Sequence, residues 1–168
     1  MSRPEVWLRG PVEGVPAPLQ PVVHSLLQVR EELETVLAEL TPAQLAARPG
    51  GAASVSYHVR HLLGSLDRLL TYAEGGPLAE EQLHAMRAES QHDPRGADAL
   101  AALVRAEIDV AIERVRRAPV DGLFEERRVG RAGLPSTVVG LLFHAAEHST
   151  RHAGQVVTTA KIVRGLGA

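Results

Sequence analysis

The chain has 168 residues, of which 45% are hydrophobic, and this fits one domain with a sizeable core. Only 3% are aromatic and the apolar residues are mainly Leu, Val and Ala, so the composition favours helices over an all-β fold. A net charge of −2 argues against a nucleic-acid partner bound through a broad basic face. Cysteine is absent, which excludes disulfides, thiolate metal sites and cysteine nucleophiles.

The N-terminal sequence has no apolar run of the kind found in a signal peptide, and no segment is long enough for a transmembrane helix. We therefore expect a cytoplasmic protein with no membrane partner. We also expect a small-molecule substrate and a homodimer.

Residues 1–21 carry five prolines, each of which lacks an N–H and restricts φ. This segment is predicted to be an extended N-terminal arm, followed by a helical domain over residues 22–168. Trp7 and Leu8 would anchor the arm on the domain; the alternative is a partly ordered tail.

The first two helices have clear boundaries. Leucines and valines at spacings of three and four predict a first helix over residues 22–40. Thr41 then begins a short helical turn as its N-cap, with Gln44 completing a capping box. Ser54 is predicted to cap a second helix over residues 54–73.

Two further amphipathic helices follow. After a polar connector with one short helix near residues 80–89, a third helix is predicted over residues 97–118. Residues 124–129 are predicted to form a strand of a short hairpin, and Ser136 to cap a fourth helix over residues 136–163. Four amphipathic helices with two long connectors predict an all-α fold, a four-helix bundle with long crossover connections.

The histidines follow a helical spacing that suits metal binding. His144, His148 and His152 recur every four residues on the fourth helix, and His58 and His61 lie three apart on the second. Residues four apart are about 6 Å apart along the axis, so two imidazoles can converge on one ion. His144 and His152, about 12 Å apart, cannot both bind it. The spacing leaves open His144 with His148 or His148 with His152, joined by His61 or His58.

The remaining histidines, His24, His84 and His92, are interpreted as packed or solvated side chains. A di-iron carboxylate site is excluded, because the Glu-x-x-His spacing that it requires occurs only at Glu81 and His84, outside the core helices. A mononuclear site with three histidine ligands and open positions remains, and such sites are catalytic more often than structural.

Two segments carry a resemblance to a known family. Residues 54–65, SVSYHVRHLLGS, resemble the second-helix motif of the DinB-like superfamily, in which a ligand His precedes a Leu and then a Ser. Residues 148–155, HSTRHAGQ, resemble its fourth-helix motif, H-x-x-x-H-x-G-Q, and LTPAQLAARPGG is also similar to the family. The resemblance covers roughly residues 20–165.

The resemblance implies a four-helix bundle with a three-histidine site for one divalent metal ion, usually zinc or nickel. The implied ligands are His61, His148 and His152. His58 and His144 fall outside the motif, one turn before a ligand. They are therefore the candidates for a catalytic role at a metal-bound water or substrate.

Several members of the family transfer small cellular thiols or use them in isomerisation, bacillithiol and mycothiol among them. The resemblance therefore implies a metal-dependent enzyme that transfers a small thiol to an electrophilic substrate, or one that hydrolyses a small molecule. Because the chain has no cysteine, the thiol would be a co-substrate. The alternative is a non-enzymatic metal-binding bundle that acts as a structural, sensor or dimerisation module. Two features depart from the family pattern: the N-terminal arm, and Gly64 where many members have an acidic residue.

Overall fold

The structure is a computed structural model and describes residues 3–166. This part of the chain is mostly helical, with six α-helices and one two-stranded antiparallel sheet. In chain order these are α1 (Gln20–Leu37), α2 (Pro42–Ala46), α3 (Val55–Ala73), α4 (Glu80–Ala88), α5 (Ala97–Arg116), β1 (Glu126–Val129), β2 (Leu134–Thr137) and α6 (Val138–Gly165). Short 3-10 turns lie at Val6–Leu8, Ala17–Leu19, Pro49–Gly51 and Val120–Gly122.

The four long helices α1, α3, α5 and α6 surround one hydrophobic core. Their apolar stripes are fully buried, as at Leu26, Leu62, Leu100 and Leu142. The most extensive helix contact joins α3 to α6, the two helices that carry the predicted metal ligands. Along residues 3–166, no helix combines the length and the apolar character needed to cross a membrane.

Local capping sets the starts of several helices. Thr41 Oγ1 accepts a hydrogen bond from the Gln44 N–H at 3.3 Å, and Gln44 Oε1 accepts one from the Thr41 N–H at 3.0 Å, which confirms the capping box. Ser54 caps α3 as predicted. Helix α1 begins at Gln20, two residues earlier than predicted, because Pro21 lies in the first turn, where no backbone N–H is needed.

The hairpin before α6 is confirmed, but it moves the start of that helix. Ser136 was expected to be the N-cap; it lies instead in β2, paired with Arg127 of β1. Thr137 is the N-cap, and its Oγ1 accepts a hydrogen bond from the Gly140 N–H at 3.1 Å. Because the strand pairing extends through Thr137, helical geometry cannot begin earlier.

The N-terminal arm packs on α1, though not through the expected residues. Trp7 and Leu8 are 61% and 58% exposed, so the prediction that they anchor the arm was wrong. The buried residues of the arm are Val6, Val15 and Leu19. The 3-10 turn at residues 6–8 places Val6 on α1 and leaves Trp7 and Leu8 in solvent.

Polar contacts add to this anchoring. The Arg9 guanidinium donates two hydrogen bonds to the Glu31 carboxylate, at 2.6 and 2.7 Å. His24 Nε2 lies 3.1 Å from the Gly10 carbonyl oxygen, so this histidine helps to hold the arm. The division of the chain at residue 21 into arm and domain stays a prediction.

Candidate metal centre

Helices α3 and α6 bring three histidines together. His61 on α3 and His148 and His152 on α6 each offer one side-chain nitrogen, and these atoms all lie within 4.8 Å of one another. The ring centroids are 4.5 to 5.2 Å apart. Of the alternatives that the spacing left open, the structure therefore groups the pair His148 and His152 with His61. Among residues 3–166 no other group of three potential ligands is as closely arranged.

His58 lies behind one member of this group. It is buried, and its Nδ1 lies 3.2 Å from Nδ1 of His152. Two neutral imidazoles that meet through the same nitrogen need opposite tautomers, because one must donate the proton and the other accept it. His58 therefore orients the His152 ring and does not belong to the three-histidine group.

His61 is held from two sides. Its Nδ1 lies 2.7 Å from Oε2 of Glu89, the C-cap residue that follows α4. The Tyr57 ring stacks on the His61 ring, with centroids 5.6 Å apart and planes within 4°. When Nδ1 donates its proton to the carboxylate, Nε2 of His61 is left with a free lone pair.

The electrostatics of the site favour neutral imidazoles. Burial, and then the neighbouring histidines, lower the pKa of both His148 and His152 to about 4. Burial, and then His61, also lower the pKa of His58. A neutral imidazole is the form that binds a metal ion, so His148 and His152 are in the binding form at neutral pH.

One atom of the site lacks a protein partner. Nδ1 of His148 is buried with no hydrogen bond from the described residues. Such atoms are rare in folded proteins and require an explanation, such as a bound ion. Three imidazoles, one with this unpartnered nitrogen, fit a divalent metal such as zinc or nickel.

The other histidines lie apart from this group. His144 is about half exposed, and its Nδ1 is 3.4 Å from Oε2 of Glu147. His84 and His92 are exposed, in keeping with their interpretation as residues that do not bind metal. His24 contacts the arm, as described above.

Sequence reasoning missed Glu89 and Arg68. Both side chains are about nine-tenths buried, and Arg68 Nη1 donates to Glu89 Oε1 at 2.7 Å. Burial raises the pKa of Glu89, but the hydrogen bonds from His61 and Arg68 outweigh it and hold the pKa below its usual range. Glu89 follows a short helix in a polar connector, where no periodicity marks it as buried.

A pocket of about 490 Å³ lies next to Tyr57, the residue that stacks on His61. Its lining includes Tyr57, Ser56, Arg48 and residues 90–93. Tyr57 thus stacks on His61 of the three-histidine group and also forms part of the pocket wall.

The pair of Glu147 and Arg151 on α6 lies close to the site without forming part of it. Arg151 Nε donates to Glu147 Oε1 at 2.9 Å, and both side chains are solvent-accessible. We expect Glu147→Gln to change the zinc dissociation constant by less than about twofold, since exposed ion pairs contribute little. Isothermal titration with zinc would measure this; a loss of about tenfold would instead make Glu147 a partner of a ligand histidine.

The fold and the histidine group together define a mostly helical protein with a possible metal site. The profile of the DinB superfamily matches residues 25–156, and the chain belongs to this superfamily of metal-binding proteins. The crystal structure of a conserved protein from Enterococcus faecalis is similar, with a TM-score of 0.72. The two chains are 18% identical over 88% of this chain and 97% of that one, which shows a shared fold. A comparison with curated proteins finds no match.

Proposed function

We propose that this protein is a divalent-metal-dependent enzyme that holds one zinc or nickel ion through His61, His148 and His152. The observation that carries the proposal is the convergence of three histidine nitrogens within 4.8 Å, from two helices of the same core. Three protein ligands leave a coordination position open, which is the pattern of catalytic sites; structural zinc sites use four. In this proposal the four long helices form a four-helix bundle with crossover connections.

The reaction that we propose is transfer of a small cellular thiol to an electrophilic substrate. If water takes the place of the thiol as the nucleophile, the reaction is hydrolysis of a small molecule. A divalent ion at this site supplies the positive charge that favours a deprotonated thiol or water. The thiol comes from a co-substrate, since the chain has no cysteine. The sulfur–electrophile bond forms as the leaving group departs, and the thiol proton passes to a base.

We assign to His144 the role of accepting that proton. It is about half exposed, its ring centroid lies 5.5 Å from that of His148, and Glu147 lies beside it. Burial lowers the pKa of His58, which faces His152, so His58 serves to orient a ligand. The pocket beside Tyr57 is our proposed place for the substrate, because this ring links the pocket to His61.

An activity measurement tests this proposal. The purified protein, loaded with zinc or nickel, would be incubated with a small thiol and a chromogenic electrophile, and adduct formation followed by mass spectrometry. We expect turnover that requires the metal, and a His148→Ala variant with the rate of the metal-free protein. A protein that binds metal stoichiometrically but gives neither thiol transfer nor hydrolysis across a panel of substrates would favour the non-enzymatic module.

A further inference from the structure

A buried polar cluster lies behind His61, formed by Glu89, Arg68 and Ser65; we refer to it as the Glu89 clasp. Both carboxylate oxygens of Glu89 are engaged: Oε2 with His61 Nδ1 and Oε1 with Arg68 Nη1, each at 2.7 Å. Arg68 Nη2 in turn donates to Ser65 Oγ at 3.1 Å. Because neither oxygen is free, Glu89 is placed to support a ligand and not to serve as one.

We propose that Glu89 is a positioning residue of the metal centre, which keeps the His61 proton on Nδ1 and so presents Nε2 to the ion. This inference rests on the metal site of the proposed function. A neutral imidazole carries one proton, and the nitrogen that holds it is set by the hydrogen bond which that proton makes. A carboxylate behind a ligand histidine also fixes the ring orientation and raises the basicity of the ligating nitrogen.

The clasp depends on a glycine in the middle of α3. A Cβ on Gly64 would lie 2.7 Å from Oε1 of Glu89 and 2.9 Å from Nη1 of Arg68, which is too close for both to stay. Alanine at this position therefore forces Glu89 Oε1 or Arg68 Nη1 to move. We expect this shift to draw the carboxylate away from His61, because Oε1 and Oε2 belong to the same rigid group. The substitution has no cost to the helix, since alanine favours a helix interior over glycine.

Asp93 supplies a matched control. It lies four residues after Glu89 in the same connector, and its side chain is 2% exposed. Arg95 donates to its carboxylate at 2.7 Å, and Arg60 Nε lies 3.7 Å away. The hydrogen bonds of its side chain go to Arg95 and not to a histidine. Asp93→Asn thus removes a buried charge from the connector and leaves the clasp in place.

The first test measures zinc affinity by competition with a chromophoric chelator, and the absorption spectrum of the cobalt-substituted protein. We expect Glu89→Gln and Gly64→Ala to weaken zinc binding by about tenfold or more and to shift the cobalt bands. Asp93→Asn should keep the affinity and spectrum of the wild type. A folded Glu89→Gln variant with both properties unchanged would overturn the proposal. If that variant does not fold, unchanged affinity in Gly64→Ala overturns it.

The second test needs no metal. Long-range proton–nitrogen NMR of the metal-free protein at about pH 8 reports the tautomer of each neutral histidine. We expect the Nδ1–H tautomer at His61, and its loss in Gly64→Ala. An Nε2–H tautomer at His61 in the wild type would overturn the role of Glu89. A wild type that binds no zinc would instead overturn the proposed metal site, whatever the tautomer, so the two failures are distinguishable.

Discussion

His152→Ala is expected to lose nearly all of the bound metal, with the metal-to-protein ratio falling from about one toward zero. His152 supplies one of three nitrogens within 4.8 Å, and two imidazoles hold a divalent ion far less tightly than three. The measurement is elemental mass spectrometry of purified protein after dialysis against metal-free buffer.

The same measurement across a histidine series separates ligands from their neighbours. We expect loss of metal at His61, His148 and His152, and retention at His144, which lies outside the group. His84, exposed on α4, is the matched control and should keep its metal when replaced by alanine. Loss at position 144 with retention at position 152 would contradict the ligand assignment.

His58→Ala is expected to have a metal affinity between that of the ligand variants and that of the control. Its Nδ1 faces Nδ1 of His152 at 3.2 Å, so its removal frees the His152 ring to rotate without removing a ligand. We expect the variant to bind metal with an affinity reduced by about tenfold, the usual effect of losing such a partner.

The metal-free protein is expected to lose stability as the pH falls from about 6.5 toward about 4. In the folded protein the pKa of His148 and of His152 is about 4, lowered mainly by burial from an ordinary value of 6.5. Between these values the unfolded chain binds protons that the folded protein does not, so acidification favours unfolding. Above about pH 6.5 both states are neutral at these residues and the effect vanishes.

The size of this effect is at most about 3.5 kcal/mol for each histidine, because one pKa unit corresponds to about 1.4 kcal/mol. Both side chains retain some contact with solvent, which reduces the figure. Urea denaturation of the metal-free protein at about pH 7 and about pH 5 measures it. A variant with glutamine in place of both His148 and His152 should show a clearly flatter dependence of stability on pH.

An equally steep dependence of stability on pH in this variant would contradict the assignment to these two residues. The pKa of Glu89 is lowered from its ordinary value of 4.5, so this carboxylate contributes below the range from about pH 7 to about pH 5 that the measurement covers.

Local features of this chain were predictable from sequence because their causes lie within a few residues. The caps at Thr41 and Ser54 are contacts between residues three apart in the chain. Leucine spacing marks the buried stripes of the long helices, since a helical period repeats within each segment. The histidine spacing excluded a site with both His144 and His152, and the two motifs identified the DinB superfamily, now shown by its profile.

Other features depend on how distant segments meet. The spacing of histidines could not choose among the possible groups, because the choice depends on the register of α3 against α6, and α4, α5 and the hairpin separate those helices in the chain. The structure sets this register through the core that both helices share, and His61 then lies near His148 and His152.

The contact between the Glu89 carboxylate and His61 is the clearest example of a feature that the sequence could not predict. The sequence revealed the departure at Gly64, but not that Glu89, 28 residues beyond His61, enters the space beside it. The exposure of Trp7 and the displacement of the α6 cap from Ser136 to Thr137 likewise follow from packing on α1 and from strand pairing. Burial and hydrogen bonding between segments far apart in sequence leave no periodic pattern, so they are determined only when the helices pack.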